Sequence, residues 1–250
     1  MKEVRGVVRD NTRVAHDTFL LSLDCDLPVS RPGQFVMLQV ACGYEPFLRR
    51  PFAILGNQAR TLEILYKIKG HGTRLLAEKR TGDNVNVLGP LGKGFSVHDG
   101  EETIVYMAGG TGLPPILSLA ENLRQGILIL GVQSKDQIPL LSRISSLPGV
   151  ELKLATIDGS CGRMGLATDV LDDVVCNVSG SVKIYACGPK GMLLATSECA
   201  KRIGAWCEVS LEEFMSCGFG VCTGCVVETT GGNRRVCREG PVFNAQEILF

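Results

Sequence analysis

A three-part chain is predicted: a β-barrel over residues 1–98, an α/β domain with a parallel sheet over 101–210, and a small cysteine-rich domain over 211–250. Three observations carry this reading. Short β-favouring segments crowd the first part, and from Glu101 apolar strands alternate with longer amphipathic stretches. Near the C-terminus, Cys217, Cys222, Cys225 and Cys237 are separated by four, two and eleven residues.

In the first part, Phe19 to Leu23, Phe35 to Val40, Leu62 to Ile68 and Val85 to Leu88 read as strands, with Pro-Gly, Gly-Asn and Thr-Gly-Asp turns between them. Many short strands at close spacing predict a barrel. In the second part, Thr103 to Met107 is a strand, Pro114 to Gln125 a helix, Ile127 to Val132 a strand, Val182 to Ala186 a strand and Lys190 to Ile203 a helix. Pro114 and Pro115 suit a first helical turn, and Gly126 suits a C-terminal cap. The tail after Leu211 is too short to bury a core alone and is expected to be held by its cluster.

The cysteine spacing is that of a plant-type 2Fe-2S cluster, in which a glycine-rich loop folds over the metal and a distant thiolate completes the ligand set. Gly218, Gly220 and Gly224 are expected to take positive φ and to bring backbone N–H groups to the sulfides. The rival is a structural zinc, but four-cysteine zinc sites usually pair two knuckles of two-residue spacing, and this chain has one, Cys222 to Cys225. The remaining seven cysteines, Cys25, Cys42, Cys161, Cys176, Cys187, Cys199 and Cys207, lack ligand spacing and read mostly as small buried hydrophobes.

Composition narrows the function classes. Lys plus Arg and Asp plus Glu are equal at 26 each, so no global field draws the chain to nucleic acid or anionic lipid. The charged segment Met1 to Asp17 has no apolar signal core, and no apolar run approaches membrane-spanning length. Eleven cysteines without a secretion signal point to a reducing compartment, the cytoplasm. His16, His71 and His98 lie far apart in sequence, which argues against histidine metal chemistry, and there is no Walker loop or Gly-x-Ser-x-Gly elbow.

Two turns suit a dinucleotide. Met107 to Pro115 joins a strand to a helix through Gly109, Gly110, Thr111 and Gly112, where a pyrophosphate could rest on helix-start N–H groups. Cys187-Gly188-Pro189 stands in the same relation to the strand from Val182, although an ordinary strand-to-helix turn reads the same way. In the barrel part, Arg49-Arg50-Pro51-Phe52-Ala53 and Lys67 to Thr73 could hold phosphate through arginine forks and glycine-flanked donors, with solvated surface charge the alternative.

The order barrel, nucleotide sheet, plant-type cluster resembles the ferredoxin-NADP reductase superfamily with a C-terminal 2Fe-2S extension. More closely, the chain resembles the electron transfer subunits of NAD-dependent dihydroorotate dehydrogenases of type B. The marks are Leu48-Arg49-Arg50-Pro51-Phe52, Leu88 to Phe95, Ser210-Leu211-Glu212-Glu213 before Met215, and Val236 to Phe243 around the last cysteine. The resemblance implies FAD on Arg50, Pro51, Phe52 and Ala53, on Leu65, Tyr66 and Lys67, and on Gly72 and Thr73. Ala53 stands where such proteins usually carry Ser or Thr, so one hydroxyl contact to the flavin is missing. It implies NAD on Gly109, Gly110, Thr111 and Gly112 and on Cys187, Gly188 and Pro189, with Cys187 close to the nicotinamide. The cluster ligands are Cys217, Cys222, Cys225 and Cys237. Lys135 and Asp136 after the second sheet strand point opposite ways on a 2′-phosphate, and the resemblance favours NADH. It further implies a separate FMN-bearing dihydroorotate dehydrogenase subunit, two of each chain in a heterotetramer, and a place in pyrimidine biosynthesis. The alternatives are a reductase subunit feeding a hydrogenase, a sulfite reductase or a ferredoxin-linked complex, and a zinc-bound interaction protein.

Overall fold

The computed structural model describes every residue except Cys42, Tyr44, His98, Asp99 and Glu101. Cys42, His98 and the expected borders at 98 and 101 thus lie outside the described residues.

The amino-terminal strands are β1 Lys2–Ala15, β2 Thr18–Asp24, β3 Phe35–Gln39, β4 Arg50–Ala53, β5 Gly56–Gln58, β6 Thr61–Lys67 and β7 Asn84–Leu91, with the short helix α1 His71–Ala77 between the last two. They form one antiparallel sheet in the order β4-β3-β7-β1-β2-β6-β5. The sheet curls until its edge strand β4 meets β6 through side chains: Phe52 on β4 packs edge-on to Tyr66 on β6, with ring centroids 5.8 Å apart. Alternating apolar positions fill the inside with Leu21, Leu23, Val36, Leu38, Ile64, Val85 and Val87. Each contributes about 1.5–3 kcal/mol of transfer free energy relative to exposure.

The second part supplies β8 Thr103–Gly109, α2 Leu113–Leu123, β9 Gly126–Val132, α3 Leu141–Ser145, β10 Val150–Thr156, β11 Arg163–Met164, α4 Ala167–Asn177, β12 Val182–Cys187, α5 Lys190–Ile203 and β13 Trp206–Ser210. The tail adds the hairpin β14 Val226–Thr229 and β15 Gly232–Arg235, then β16 Val242–Asn244. The sheet order is β11-β10-β9-β8-β12-β13-β16, with β11 through β13 parallel and β16 antiparallel at the edge. The fold class is therefore the expected one. Along β8 the side chains alternate faces: Val105 and Met107 join the layer under α4 and α5, while Ile104, Tyr106 and Ala108 join the layer under α2. Among the described residues no helix is long and apolar enough to cross a membrane.

Two expectations are corrected. Helix α2 does begin with prolines in its first turn, but it ends at Leu123, and Arg124 takes the left-handed cap at φ 52°. Gly126 instead opens β9 at φ 111°, where a Cβ would lie 2.4 Å from the Ile104 carbonyl oxygen. The tail is also less independent than its length implies. Its Val236, Phe243, Ala245 and Ile248 enter the same buried layer as Phe35, Met37 and Leu91 of the barrel and Ile184 and Val209 of the parallel sheet.

Candidate functional site

The cysteine loop is built on two surfaces already in place. Gly218, at φ +80°, lies so close to β3 that a Cβ would sit 2.5 Å from Met37 Cγ. Gly220, at φ +89°, passes over the Arg238 side chain with a Cβ position 2.7 Å away. The expected third left-handed position differs: Thr223 takes φ 55°, and Gly224 does not take positive φ. The resulting curl aims amides inward. The Cys217 thiol is held down to about 6: burial would raise it, but the N–H groups of Cys222, Phe219 and Val221 outweigh that by donating toward its sulfur. Cys237 is pushed up to about 12 by burial and by its neighbour Cys225, against a donation from the Gly220 N–H. Cys225 and Cys237 are both buried, and the Cys237 N–H points at Cys225 Sγ at 3.4 Å. Cys222 is exposed at the rim.

Sulfurs facing a nest of amides suit a group with negative sulfide and thiolate atoms. Among the described residues no three His, Cys, Asp or Glu side chains close on one point as a single metal ion requires. Four-cysteine zinc sites usually pair two knuckles of two-residue spacing and these four contain one, Cys222 to Cys225, whereas their spacing is that of a plant-type two-iron cluster. The four residues fit the cluster better than the ion.

Of the remaining cysteines, Cys25, Cys187, Cys199 and Cys207 are buried as expected; Cys176 is exposed and Cys161 half-buried. Burial raises the Cys25 thiol to about 11 and the Cys207 thiol to about 12, which leaves both neutral.

The barrel and the parallel sheet meet in a crevice of about 190 Å³, lined on one side by Leu65, Tyr66, Lys67 and Lys69 and on the other by Gly109, Gly110, Thr111 and Pro189. It lies at the C-terminal edge of the sheet between β8 and β12, where the chain switches from one direction of strand addition to the other, and such points are where α/β sheets take ligands. Lys69 Nζ stands 3.4 Å from Thr111 Oγ1 and Lys67 Nζ 3.2 Å from Gln137 Oε1, so two cations border the glycine turn. Tyr66 stacks on Phe19 at 5.7 Å and donates to Asn11 Oδ1 at 3.0 Å; burial raises its hydroxyl to about 12, leaving it a neutral phenol.

The paired arginines separate by role. Arg49 is bound to Glu3 at 2.6 Å and to Asn86 Oδ1 at 2.5 Å, a structural clamp between the β3–β4 connection and β1 and β7. Among the described residues Arg50 meets only the backbone carbonyls of Leu48 and Arg49, and its Nε lies 3.2 Å from a Cβ position on Gly72. Arg50 and the start of α1 therefore form one cradle, which the sequence separates by more than twenty residues. The Thr73 hydroxyl caps this turn, accepting from the N–H groups of Lys69 and Gly70 at 2.9 and 3.1 Å. Pro51, Phe52 and Ala53 follow on β4, with Pro51 opposite Met37 in the ladder.

The two glycine turns of the sheet are packed against each other. A Cβ at Gly112 would lie 2.2 Å from the Cys187 carbonyl oxygen, and one at Gly188 would lie 3.0 Å from Gly109 Cα. Gly110, at φ +51°, faces open space. Gly109 to Thr111 and Pro189 line the crevice; Gly112, Cys187 and Gly188 support it from behind. The Cys187 thiol is raised far above its ordinary value by burial and by the Glu212 carboxylate, against a hydrogen bond with Ser210. Beyond β9, the Ser134 hydroxyl is bonded to the Asp136 carboxylate, and the Lys135 N–H donates to Ser160 Oγ at 2.8 Å. Ser160 also binds Asp158, which the sequence reading did not single out; both follow β10, a strand it passed over.

The segments around Leu88 to Phe95 and Val236 to Phe243 touch. The Lys93 N–H donates to the Gly240 carbonyl at 2.5 Å, and a Cβ at Gly92 would lie 2.5 Å from Pro241 Cδ.

Comparison with known proteins places these features in a family. Residues 212–249 match the model of the iron-sulfur cluster binding domain of dihydroorotate dehydrogenase B. Over 252 residues the chain is 35% identical to the electron transfer subunit of dihydroorotate dehydrogenase B (NAD(+)) of Caldanaerobacter subterraneus subsp. tengcongensis, covering 99% of each chain. It is 36% identical over 265 residues to the protein of the same description from Bacillus mycoides, covering 100% of each. Among solved structures, an NADH-dependent reduced ferredoxin-NADP oxidoreductase matches 98% of this chain and 89% of its own at TM-score 0.87 and 25% identity. A ferredoxin NADP+ reductase from Neisseria gonorrhoeae shares the fold over 82% of this chain and 93% of its own, at TM-score 0.67 and 18% identity.

Proposed function

The chain belongs to the family of electron transfer subunits of type B dihydroorotate dehydrogenases, and from that premise we propose that it couples a separate FMN-bearing catalytic subunit to NAD+. Its role is then to carry electrons from dihydroorotate oxidation in pyrimidine biosynthesis, in the cytoplasm, within a heterotetramer of two subunits of each kind. It takes FAD, a 2Fe-2S cluster and NAD.

One observation carries this reading: β4 lies between the strand that bears the cluster loop and the strand that faces the glycine turn. Met37, under Gly218, pairs with Pro51, and Phe52 packs on Tyr66 at the crevice. When bound, a flavin exchanges a hydride or single electrons while a 2Fe-2S cluster takes one electron at a time, so a flavin on β4 suits a relay between the two.

The residues have distinct tasks. Arg50, without a carboxylate partner among the described residues, holds a pyrophosphate beside Gly72 and Thr73 through charge-assisted bonds. Pro51, Phe52, Ala53, Leu65, Tyr66 and Lys67 bed the flavin, with Ala53 offering no hydroxyl. Gly109, Gly110 and Thr111 receive the dinucleotide, Lys67 and Lys69 balance its charge, and Gly112 and Gly188 let the two turns close together. Cys187, sealed and neutral, shapes the crevice near the nicotinamide instead of acting as a thiolate. Cys217, Cys222, Cys225 and Cys237 bind the irons. The bonding of Asp136 to Ser134 leaves a carboxylate where a 2′-phosphate would lie, which favours NADH.

The test is co-expression with a candidate FMN subunit, purification through a tag on one chain, and assay of dihydroorotate-dependent NAD+ reduction. Co-purification with that activity is expected. Failure of both, with every cofactor loaded, would leave the second reading, a ferredoxin-linked reductase subunit, which the likeness at TM-score 0.87 favours. Heat-released flavin should chromatograph as FAD, and iron and acid-labile sulfide should be equimolar, without zinc.

A further inference from the structure

The grip that holds the cysteine loop comes from a residue outside the ligand set. Arg235 ends β15, two residues before Cys237, and its guanidinium is shared between two partners. Nε and Nη2 form a fork onto the Glu239 carboxylate at 3.1 and 2.6 Å, and Nη1 donates to the Gly220 carbonyl oxygen at 2.7 Å. The Arg235 backbone N–H also donates to Glu239 at 2.8 Å, so the acid fixes both ends of the arginine.

The Gly220 carbonyl belongs to the same peptide unit as the Val221 N–H. That peptide is not among the cis bonds, so its C=O and N–H point in opposite directions. A guanidinium pulling on the oxygen from one side therefore turns the Val221 N–H to the other side, and this peptide lies in the loop that spans the ligands Cys217 and Cys222. Gly220 has φ +89°, a conformation that a glycine holds at little cost but also leaves easily, so the peptide needs an external hold. Arginine is suited to it: its rigid planar fork can serve a carboxylate and a carbonyl at once.

Resting on the cluster reading above, we infer that Arg235 is a positioning residue for the 2Fe-2S centre: oriented by Glu239, it fixes the Gly220–Val221 peptide of the loop between Cys217 and Cys222, with the Val221 N–H turned away from the guanidinium, and so raises the centre's reduction potential. The reason is electrostatic. One-electron reduction adds a negative charge to the centre, and hydrogen bonds to its sulfurs and nearby positive charge favour the reduced form. Sequence spacing conceals this role, because Arg235 and Glu239 look like an ordinary i,i+4 surface pair.

Anaerobic redox titration of the intact protein, followed by the paramagnetic signal of the reduced cluster, tests the inference, with iron and sulfide measured on each sample. Arg235→Gln should lower the midpoint potential by about 59 mV, a tenfold shift for a one-electron couple. Glu239→Ala gives the sharper result. Removal of a nearby negative charge alone would raise the potential, whereas release of Arg235 from its anchor should lower it. A loaded Arg235→Gln protein with unchanged potential, or a rise in Glu239→Ala, would overturn the inference. Loss of the cluster from both variants would also overturn it, in favour of a purely structural role. Absence of iron and sulfide from the unmodified protein would instead strike the cluster reading on which the inference rests.

Discussion

Gly112 and Gly110 sit two residues apart in one turn, yet they are glycine for different reasons. At Gly112 a Cβ would meet the backbone of Cys187 and Gly188 at 2.2 to 2.6 Å, and backbone cannot rotate aside. Gly112→Ala should force the two turns apart and cost about 1–3 kcal/mol, the usual range for overpacking. Gly110→Ala meets no atom and carries only its left-handed strain of about 1–2 kcal/mol, offset by about 0.4–1 kcal/mol from the stiffer unfolded chain. Urea unfolding of the two variants should rank Gly112→Ala as clearly the less stable; equal midpoints would refute the close-packing argument. The arginines allow a similar contrast. Arg50→Ala should weaken flavin binding by about 1.5–3 kcal/mol, read as the dissociation constant for added FAD, while Arg49→Ala should leave it nearly unchanged, since Arg49 is bound to Glu3 and Asn86. The four cysteines were legible in the sequence because their spacing is a local property of one loop. The division of labour between Arg49 and Arg50, and the approach of Arg50 to Gly72, were not, because their partners lie on strands distant in the chain.

At the scale of elements, what the sequence reveals tracks burial. The strands β3, β9 and β12 are mostly apolar and largely buried on both faces, β6 is buried at Leu62 and from Ile64 to Tyr66, and each was evident from its residues alone. Strand β1 was not: its fourteen residues are mostly exposed, carry charges at Lys2, Glu3, Arg5, Arg9 and Arg13, and are held by ladders to β2 and β7 that only the closed sheet supplies. The helix α4 was hidden by Asp169, Asp172 and Asp173 on its solvent side, and β16 is only three residues long. That last strand changes how the tail should behave without metal. Val242–Asn244 is hydrogen-bonded to β13, and Phe243, Ala245 and Ile248 are buried in the shared core, whereas among the described residues the hairpin β14–β15 pairs only with itself apart from one bridge at Thr229. An isolated two-stranded hairpin is marginally stable in water. Removal of the cluster should therefore raise amide hydrogen exchange across Val226–Arg235 while Val242–Asn244 keeps its protection. Uniform loss of protection over 212–250 would show that the metal, and not the shared core, holds the tail in place.

For the whole molecule, the arrangement imposes an order on electron entry. The crevice proposed for the dinucleotide opens between β6 and the Gly109–Thr111 turn, while the cysteine loop lies over Met37 on β3, so the barrel strand with Arg50 to Ala53 stands between them. Nicotinamide gives up two electrons together as hydride, which a one-electron centre cannot accept, so the cluster has no direct route from NADH. Two samples of the same chain should then diverge. Protein loaded with both flavin and cluster should show bleaching of the flavin band on mixing with NADH, followed by the paramagnetic signal of the reduced cluster. Protein stripped of flavin but retaining iron and sulfide should give no such signal with NADH, yet still give it with dithionite, which delivers single electrons. Addition of FAD should restore the NADH response, and Arg50→Ala should require a higher FAD concentration for the same recovery. A reduced-cluster signal appearing from NADH in flavin-free protein would break the relay order and with it the assignment of β4 as the strand between the two sites.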